Sequence, residues 1–74
     1  MNTTAEIDVR GLAPPEPFEK IMYALQTLPA GSVLQVLIHR EPFPLYDVLR
    51  DSGYAWNTRM LAEDNFMILI SRTL

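Results

Sequence analysis

Three prolines in four positions, Pro14, Pro15 and Pro17, separate two segments of different periodicity, and they restrict the fold more than any other feature. Before them, "EIDVR" alternates, with Ile7 and Val9 on one face and Glu6, Asp8 and Arg10 on the other, as in a half-buried strand. After them, Phe18, Ile21, Met22, Leu25 and Leu28 recur at the spacing of one helical face, leaving Glu19, Lys20, Tyr23 and Gln26 to water. Proline is tolerated in a first helical turn, where its missing N–H would have no intrahelical partner and its fixed φ suits the helix. The pattern therefore predicts a strand, a turn at Gly11, and a helix from Glu16 whose entry angle is set by Pro15 and Pro17. Pro14 adds stiffness to that turn, or forms a rigid edge presented to a partner.

The remainder of the chain extends this reading. "PAGS" (29–32) ends the helix, with Gly31 free to adopt a left-handed conformation. "SVLQVLI" is apolar at both alternating sets of positions, which places it inside a sheet rather than at its edge. "HREPFP" leads into a shorter helix with Leu45, Val48 and Leu49 inward and "DSG" as its stop. "YAWNTRML" and "NFMILISR" read as two strands around "AEDN", whose Asp64 and Asn65 suit a tight turn. Glu-Pro-Phe occurs at both predicted helix starts, which points to shared helix-start chemistry.

The order βαβαββ defines an α+β two-layer sandwich: a four-stranded mixed sheet with both helices on one face, its strand–helix–strand units parallel and right-handed, closed by an antiparallel hairpin. Seventy-four residues amount to a single domain, 1–74, and such a chain buries only about 60% of the surface its unfolded form exposes. With no cysteine and one histidine, it depends on packing or on a partner rather than on disulfides or metal. The N-terminal "MNTTAEIDVR" lacks a signal-peptide pattern, and the longest apolar runs fall far short of the roughly 20 residues that span a bilayer. A cytoplasmic protein without membrane contact is expected. A formal net charge of −3 with no cluster of Lys and Arg argues against nucleic acid as a partner.

The stretch "DVRGLAPPEP" resembles the signature of the TusA (SirA-like) family of small bacterial proteins, Arg-Gly-Leu-x-Cys-Pro-x-Pro after an aspartate-bearing strand. Asp8, Arg10, Gly11, Leu12, Pro15 and Pro17 match in order and spacing, and "LPAGSVLQVL" is similar to that family's turn into its second strand. The resemblance covers Ile7 to about Arg72 and implies the same βαβαββ sandwich. The departure is at Pro14, which stands where the family carries its sulfur-accepting cysteine. Persulfide relay needs a thiolate, which a helix N-terminus helps to generate, and proline supplies none. The chain more closely resembles a cysteine-less branch of TusA-like domains of unknown function, carrying an Arg-Glu-Pro-x-Pro-Leu stretch like "REPFPL", found alone or appended to other domains such as hemerythrin-like ones.

The candidate site follows from topology. If the first two strands are parallel neighbours, their C-terminal ends share one edge, where open α/β sheets tend to bind ligands. Arg10, Pro14, Glu16, His39, Arg40 and Glu41 then meet there. Either they form a binding site, or they are ion pairs tying loops together, Arg10 with Glu41 or Asp8 and Arg40 with Glu16. Prolines remove most backbone donors at both helix starts, so an anion there would rest on Arg10, Arg40 and His39. One histidine among scattered carboxylates matches no metal-ligand spacing, and no cofactor or catalytic residue is expected. A second candidate surface is the sheet face away from the helices. It takes Val33 and Leu37 or Leu34, Val36 and Ile38, with Phe66, Ile68 and Ile70 or Met67 and Leu69, and Trp56 or its neighbours beside them, diluted by Gln35 and Arg59.

The function expected is a non-catalytic interaction or ligand-binding module, taking a protein partner or a small anionic ligand and remaining a monomer or a weak dimer through the open sheet face. The alternative is an accessory in sulfur or redox metabolism that docks to a sulfurtransferase-type partner.

Overall fold

A computed structural model describes residues 4–73; residues 1–3 and 74 of the 1–74 span lie outside that description. Its elements are β1 (Thr4–Asp8), α1 (Glu16–Thr27), β2 (Val33–Ile38), α2 (Phe43–Asp51), β3 (Tyr54–Ala62) and β4 (Asn65–Arg72), the βαβαββ order. The strands form one mixed open sheet in the order β1-β2-β4-β3. β1 and β2 are parallel, and β4 is antiparallel to both β2 and β3. β3 thus runs in the direction of β2 without touching it, because the closing hairpin folds β4 into the gap between them.

That topology explains the apolar density of β2 and β4, which are the interior strands. Leu34, Val36 and Ile38 face the helices, opposite Ile70, Ile68 and Phe66 of β4. Ile21, Leu25 and Leu28 from α1, Leu45 and Leu49 from α2, and Val9 just beyond β1 complete the core. Each such side chain, fully buried, contributes about 1.5–3 kcal/mol relative to exposure. Val33, Gln35 and Leu37 project to the opposite face, beside Met67 and Leu69. The two sets of open-face candidates are thereby separated: Phe66, Ile68 and Ile70 point inward, Met67 and Leu69 outward.

Three details differ from the sequence reading. The buried face of α1 runs Pro17, Ile21, Leu25 and on to Leu28, while Phe18 is 39% exposed. Phe18 lies only about 20° around the helix from Leu25, so its exposure comes from its place in the first turn, at the end of the helix, rather than from its face. Trp56 lies on the helix side of β3, paired with the inward Ile70 and stacked on Tyr46 at 5.1 Å and 10° between planes. It therefore takes no part in the open face. The Glu-Pro-Phe echo is also offset, since α1 begins on Glu16 and α2 on Phe43. What the helices share is a proline in the second helical position, Pro17 and Pro44, where no N–H is needed.

The stops follow their residues. Gly31 and Gly53 take φ of 81° and 83°, in the left-handed region that glycine enters without a Cβ penalty. Glu63 and Asp64 form the hairpin turn, Asp64 at φ 60°, while Asn65 already pairs with Ala62 as the first residue of β4. A register break between Met60 and Ala62 adds a bulge just before the turn. Among the described residues no helix is long and apolar enough to cross a membrane.

Candidate functional site

The parallel pairing of β1 and β2 carries their following loops to one edge of the sheet. The ladder runs one residue past β1, where the Val9 N–H donates to the Leu37 carbonyl at 2.9 Å. Two residues later the Gly11 N–H donates to His39 Nδ1 at 3.3 Å, tying the turn before α1 to the loop before α2. A neutral His39 that accepts at Nδ1 carries its proton on Nε2, the one donor its ring then has to offer.

Between these loops opens a cleft of about 530 Å³, bounded by the starts of α1 and α2. Leu12, Pro14, Pro17, Phe18, Ile21 and Leu45 supply apolar wall, and His39, Arg40 and Glu41 supply the polar groups. Of the residues named from the sequence, Pro14, His39, Arg40 and Glu41 therefore line one cavity, and Arg10 and Glu16 do not. In the sequence Phe18 and Leu45 have the spacing of core positions, and Leu12 falls in a turn. A loop leucine has no periodicity to mark it, and Phe18 shares its helical spacing with true core positions.

Arg10 is held elsewhere. Its Nε and Nη2 donate to the two carboxylate oxygens of Asp8 at 2.9 and 2.7 Å, and its backbone N–H donates to Asp8 Oδ1 at 3.0 Å. This bidentate clamp holds the Asp8 carboxyl down at about 2, first through the side-chain hydrogen bonds from Arg10 and then through its backbone N–H. A depressed carboxyl contributes stability that is present above its ordinary value of 3.8 and is lost as pH falls toward about 2. Carboxyl-detected NMR titration should therefore find Asp8 titrating near the bottom of the accessible range. In Arg10→Gln it should move up toward the ordinary value; an unchanged midpoint would mean that the clamp does not form in solution.

Arg40 is placed differently. The ion pairs among the described residues join Arg10 to Asp8 and Arg50 to Asp47 and Asp51, and none includes Arg40. The pairings Arg10–Glu41 and Arg40–Glu16 are thus not formed. Glu41 instead accepts a hydrogen bond from the Tyr46 hydroxyl at 3.0 Å. Tyr46 also shares a hydrogen bond with the Thr58 hydroxyl and meets the Phe43 ring edge-on at 5.9 Å. Burial pushes the Tyr46 phenol up, the Thr58 hydrogen bond opposes this, and Glu41 adds to it. Glu41 is thereby fixed by the α2–β3 aromatic cluster, while Arg40, an exposed residue, lines the cleft without an ion pair among the described residues.

The helix starts add few donors for an anion. The Glu16 N–H donates to the Ala13 carbonyl at 3.0 Å, Phe43 N–H to Glu41 at 3.1 Å and Leu45 N–H to Pro42 at 2.9 Å. Pro17 and Pro44 have no N–H at all. A negative group in the cleft would meet Arg40 and the His39 imidazole among its polar lining residues, with the Glu41 carboxylate, engaged by Tyr46, on the same wall. Among the described residues no three His, Cys, Asp or Glu side chains group closely enough to hold a metal ion.

The architecture and the cleft define a small two-layer α+β domain with an apolar pocket at the C-terminal edge of its parallel strands. Over residues 6–72 the chain matches the family described as "Uncharacterized conserved protein (DUF2249)", and it belongs to that family. Neither the curated proteins nor the solved structures compared with it contain a match. The matched span includes every residue that lines the cleft.

Proposed function

We propose that this domain is a non-catalytic binding module whose cleft takes a small amphipathic anion. The apolar body lies between the starts of α1 and α2, and the anionic end meets Arg40. The observation that carries this reading is a largely apolar cleft edged by an arginine that forms no ion pair among the described residues. A polar substrate would strand its hydrogen-bonding groups against Leu12, Pro17, Phe18 and Leu45, at a cost of about 1–3 kcal/mol for each one left unpaired. An alkyl or aryl body gains about 0.8 kcal/mol per buried methylene instead. The charge contributes less, about 0.2–1 kcal/mol at an exposed site, and it sets orientation more than affinity.

The reading is supported by the resemblance to the TusA family at the same edge, where Pro14 stands at the position of that family's cysteine. An apolar, thiol-free wall suits holding a ligand rather than transferring sulfur to it. The polar groups point the same way: Glu41 is engaged by Tyr46 and His39 Nδ1 by the Gly11 N–H. Neither is disposed as a free general base.

The test compares octanoate with octan-1-ol by calorimetric or NMR titration. The two share an apolar chain and differ in the charged end. Octanoate should bind with a Kd on the order of 0.1–1 mM, and the alcohol several-fold more weakly. Absence of saturable octanoate binding up to about 10 mM would overturn the proposal.

A further inference from the structure

The sheet face turned away from the helices carries a charge pattern that fits a second copy of itself. Its residues fall into rows across the four strands. One row reads Asp8, Leu37, Met67, Arg59, and the next reads Glu6, Gln35, Leu69, Asn57, from β1 to β3. Each row is apolar or neutral in the middle. The β1 end is acidic and the β3 end basic or neutral. Asp8 is partly neutralised by Arg10, whereas the partner of Glu6 is an uncharged amide, Gln35 Nε2 donating to Glu6 Oε1 at 2.9 Å. The acidic end therefore retains negative charge at Glu6.

We infer that two copies of the chain pack open face to open face about a two-fold axis parallel to the strands. Such an axis preserves position along the strand and exchanges left for right. It places β1 of each copy over β3 of the other, twice bringing Arg59 opposite the Asp8–Arg10 pair and within one row of Glu6, which itself stands opposite Asn57. The apolar centres, Leu37, Met67 and Leu69, then cover each other. A two-fold axis perpendicular to the strands would oppose β1 to β1 and bring Glu6 against Glu6, which is repulsive. Charge complementarity thus selects one of the two ways in which these faces can stack, and aligned sheets pack in this manner with their strands about 30° apart. The helices lie on the other side of the sheet, so both clefts stay open.

The area indicates how tight this dimer is. Four strands about 4.8 Å apart and about 20 Å long give a face of roughly 400 Å² per copy, about half that of a standard interface. A reversible dimer that forms at high micromolar concentration and weakens with added salt is the result expected.

The full-length chain is tested by sedimentation velocity at low salt, from about 10 µM to about 1 mM. The wild type should pass from monomer to dimer across that range. R59E and E6R, each alone, place like charges at both ends of the interface and should raise the dimer Kd about tenfold or more. An equimolar mixture of R59E and E6R restores opposite charges at both ends and should recover the dimer. L69Q, an open-face change that leaves every charge in place, should weaken the dimer without the mixture effect. Cooperative melts of each variant establish that they fold. A wild type that stays monomeric overturns the inference, and so does a dimer indifferent to R59E and E6R, or a mixture that fails to recover it.

Discussion

Leu34→Ala is expected to destabilise the domain by about 3 kcal/mol, whereas Leu37→Ala, three residues along the same strand, is expected to cost about 1 kcal/mol or less. Leu34 is fully buried between Ala5 of β1, Ile70 of β4 and the helices, so removing its side chain beyond Cβ leaves a cavity. Leu37 is half-buried on the open face, where the loss is mainly of partial contact with Met67. A 74-residue domain has a total stability of only about 4–10 kcal/mol, so Leu34→Ala removes a large share of it. Urea denaturation of the two variants provides the check. A larger loss for Leu37→Ala would mean that the sheet is oriented the other way round, with Leu37 toward the helices, and equal losses would mean that the two faces are not distinguished by burial.

Arg40→Glu is expected to weaken octanoate binding about two- to thirtyfold while leaving the melting temperature within about two to four degrees of the wild type. The substitution removes an attraction at the mouth of the cleft and introduces a repulsion, each about 0.2–1 kcal/mol and together about 0.4–2 kcal/mol, a factor of about two to thirty. Stability should hold because the arginine is exposed and forms no ion pair among the described residues, and surface changes of this kind fall within about 0.5 kcal/mol. Octan-1-ol, lacking the charge, should bind the variant and the wild type alike. Calorimetry with both ligands separates the outcomes. A variant that loses octanol as well would have lost the cleft itself, and one that keeps octanoate would place the anion away from Arg40.

Much of the fold is legible in the sequence because apolar periodicity is a local property. Ile7 and Val9 alternate, Ile21, Leu25 and Leu28 recur at helical spacing, and the doubly apolar runs at 33–38 and 66–70 mark the interior strands. The insertion of β4 between β2 and β3 was not legible. It depends on how far the α2 connection carries the chain before the hairpin closes, and no single residue records that distance. The choice between Trp56 and its neighbours for the open face was not legible for a related reason. "YAWNTRML" alternates weakly, and its inward side is settled by the pairing of Trp56 with Ile70 and the stacking on Tyr46 rather than by hydropathy.

The candidate site was legible in part. The convergence of the Pro14 turn with His39, Arg40 and Glu41 follows from the parallel pairing of β1 and β2, which the intervening helix requires. The fine division of partners does not follow from spacing. Asp8 at the end of β1 and Arg10 in the turn two residues on close on each other, and that removes Arg10 from the cleft. Tyr46 captures Glu41 across five residues, and this leaves Arg40 as the exposed cation. The apolar walls were invisible for a simpler reason. Leu12 stands in an irregular turn with no repeat to mark it, and Phe18 imitates a core position.

Binding of the ligand in the cleft between the starts of α1 and α2 can be observed residue by residue. The most direct test is an amide-resolved NMR titration of the whole chain with octanoate. Saturable shifts are expected at Gly11, Leu12, Phe18, His39, Arg40 and Leu45, with Gln35, Met67 and Leu69 on the open face unmoved. Shifts confined to the open face, or spread evenly over the molecule, would contradict binding in the cleft.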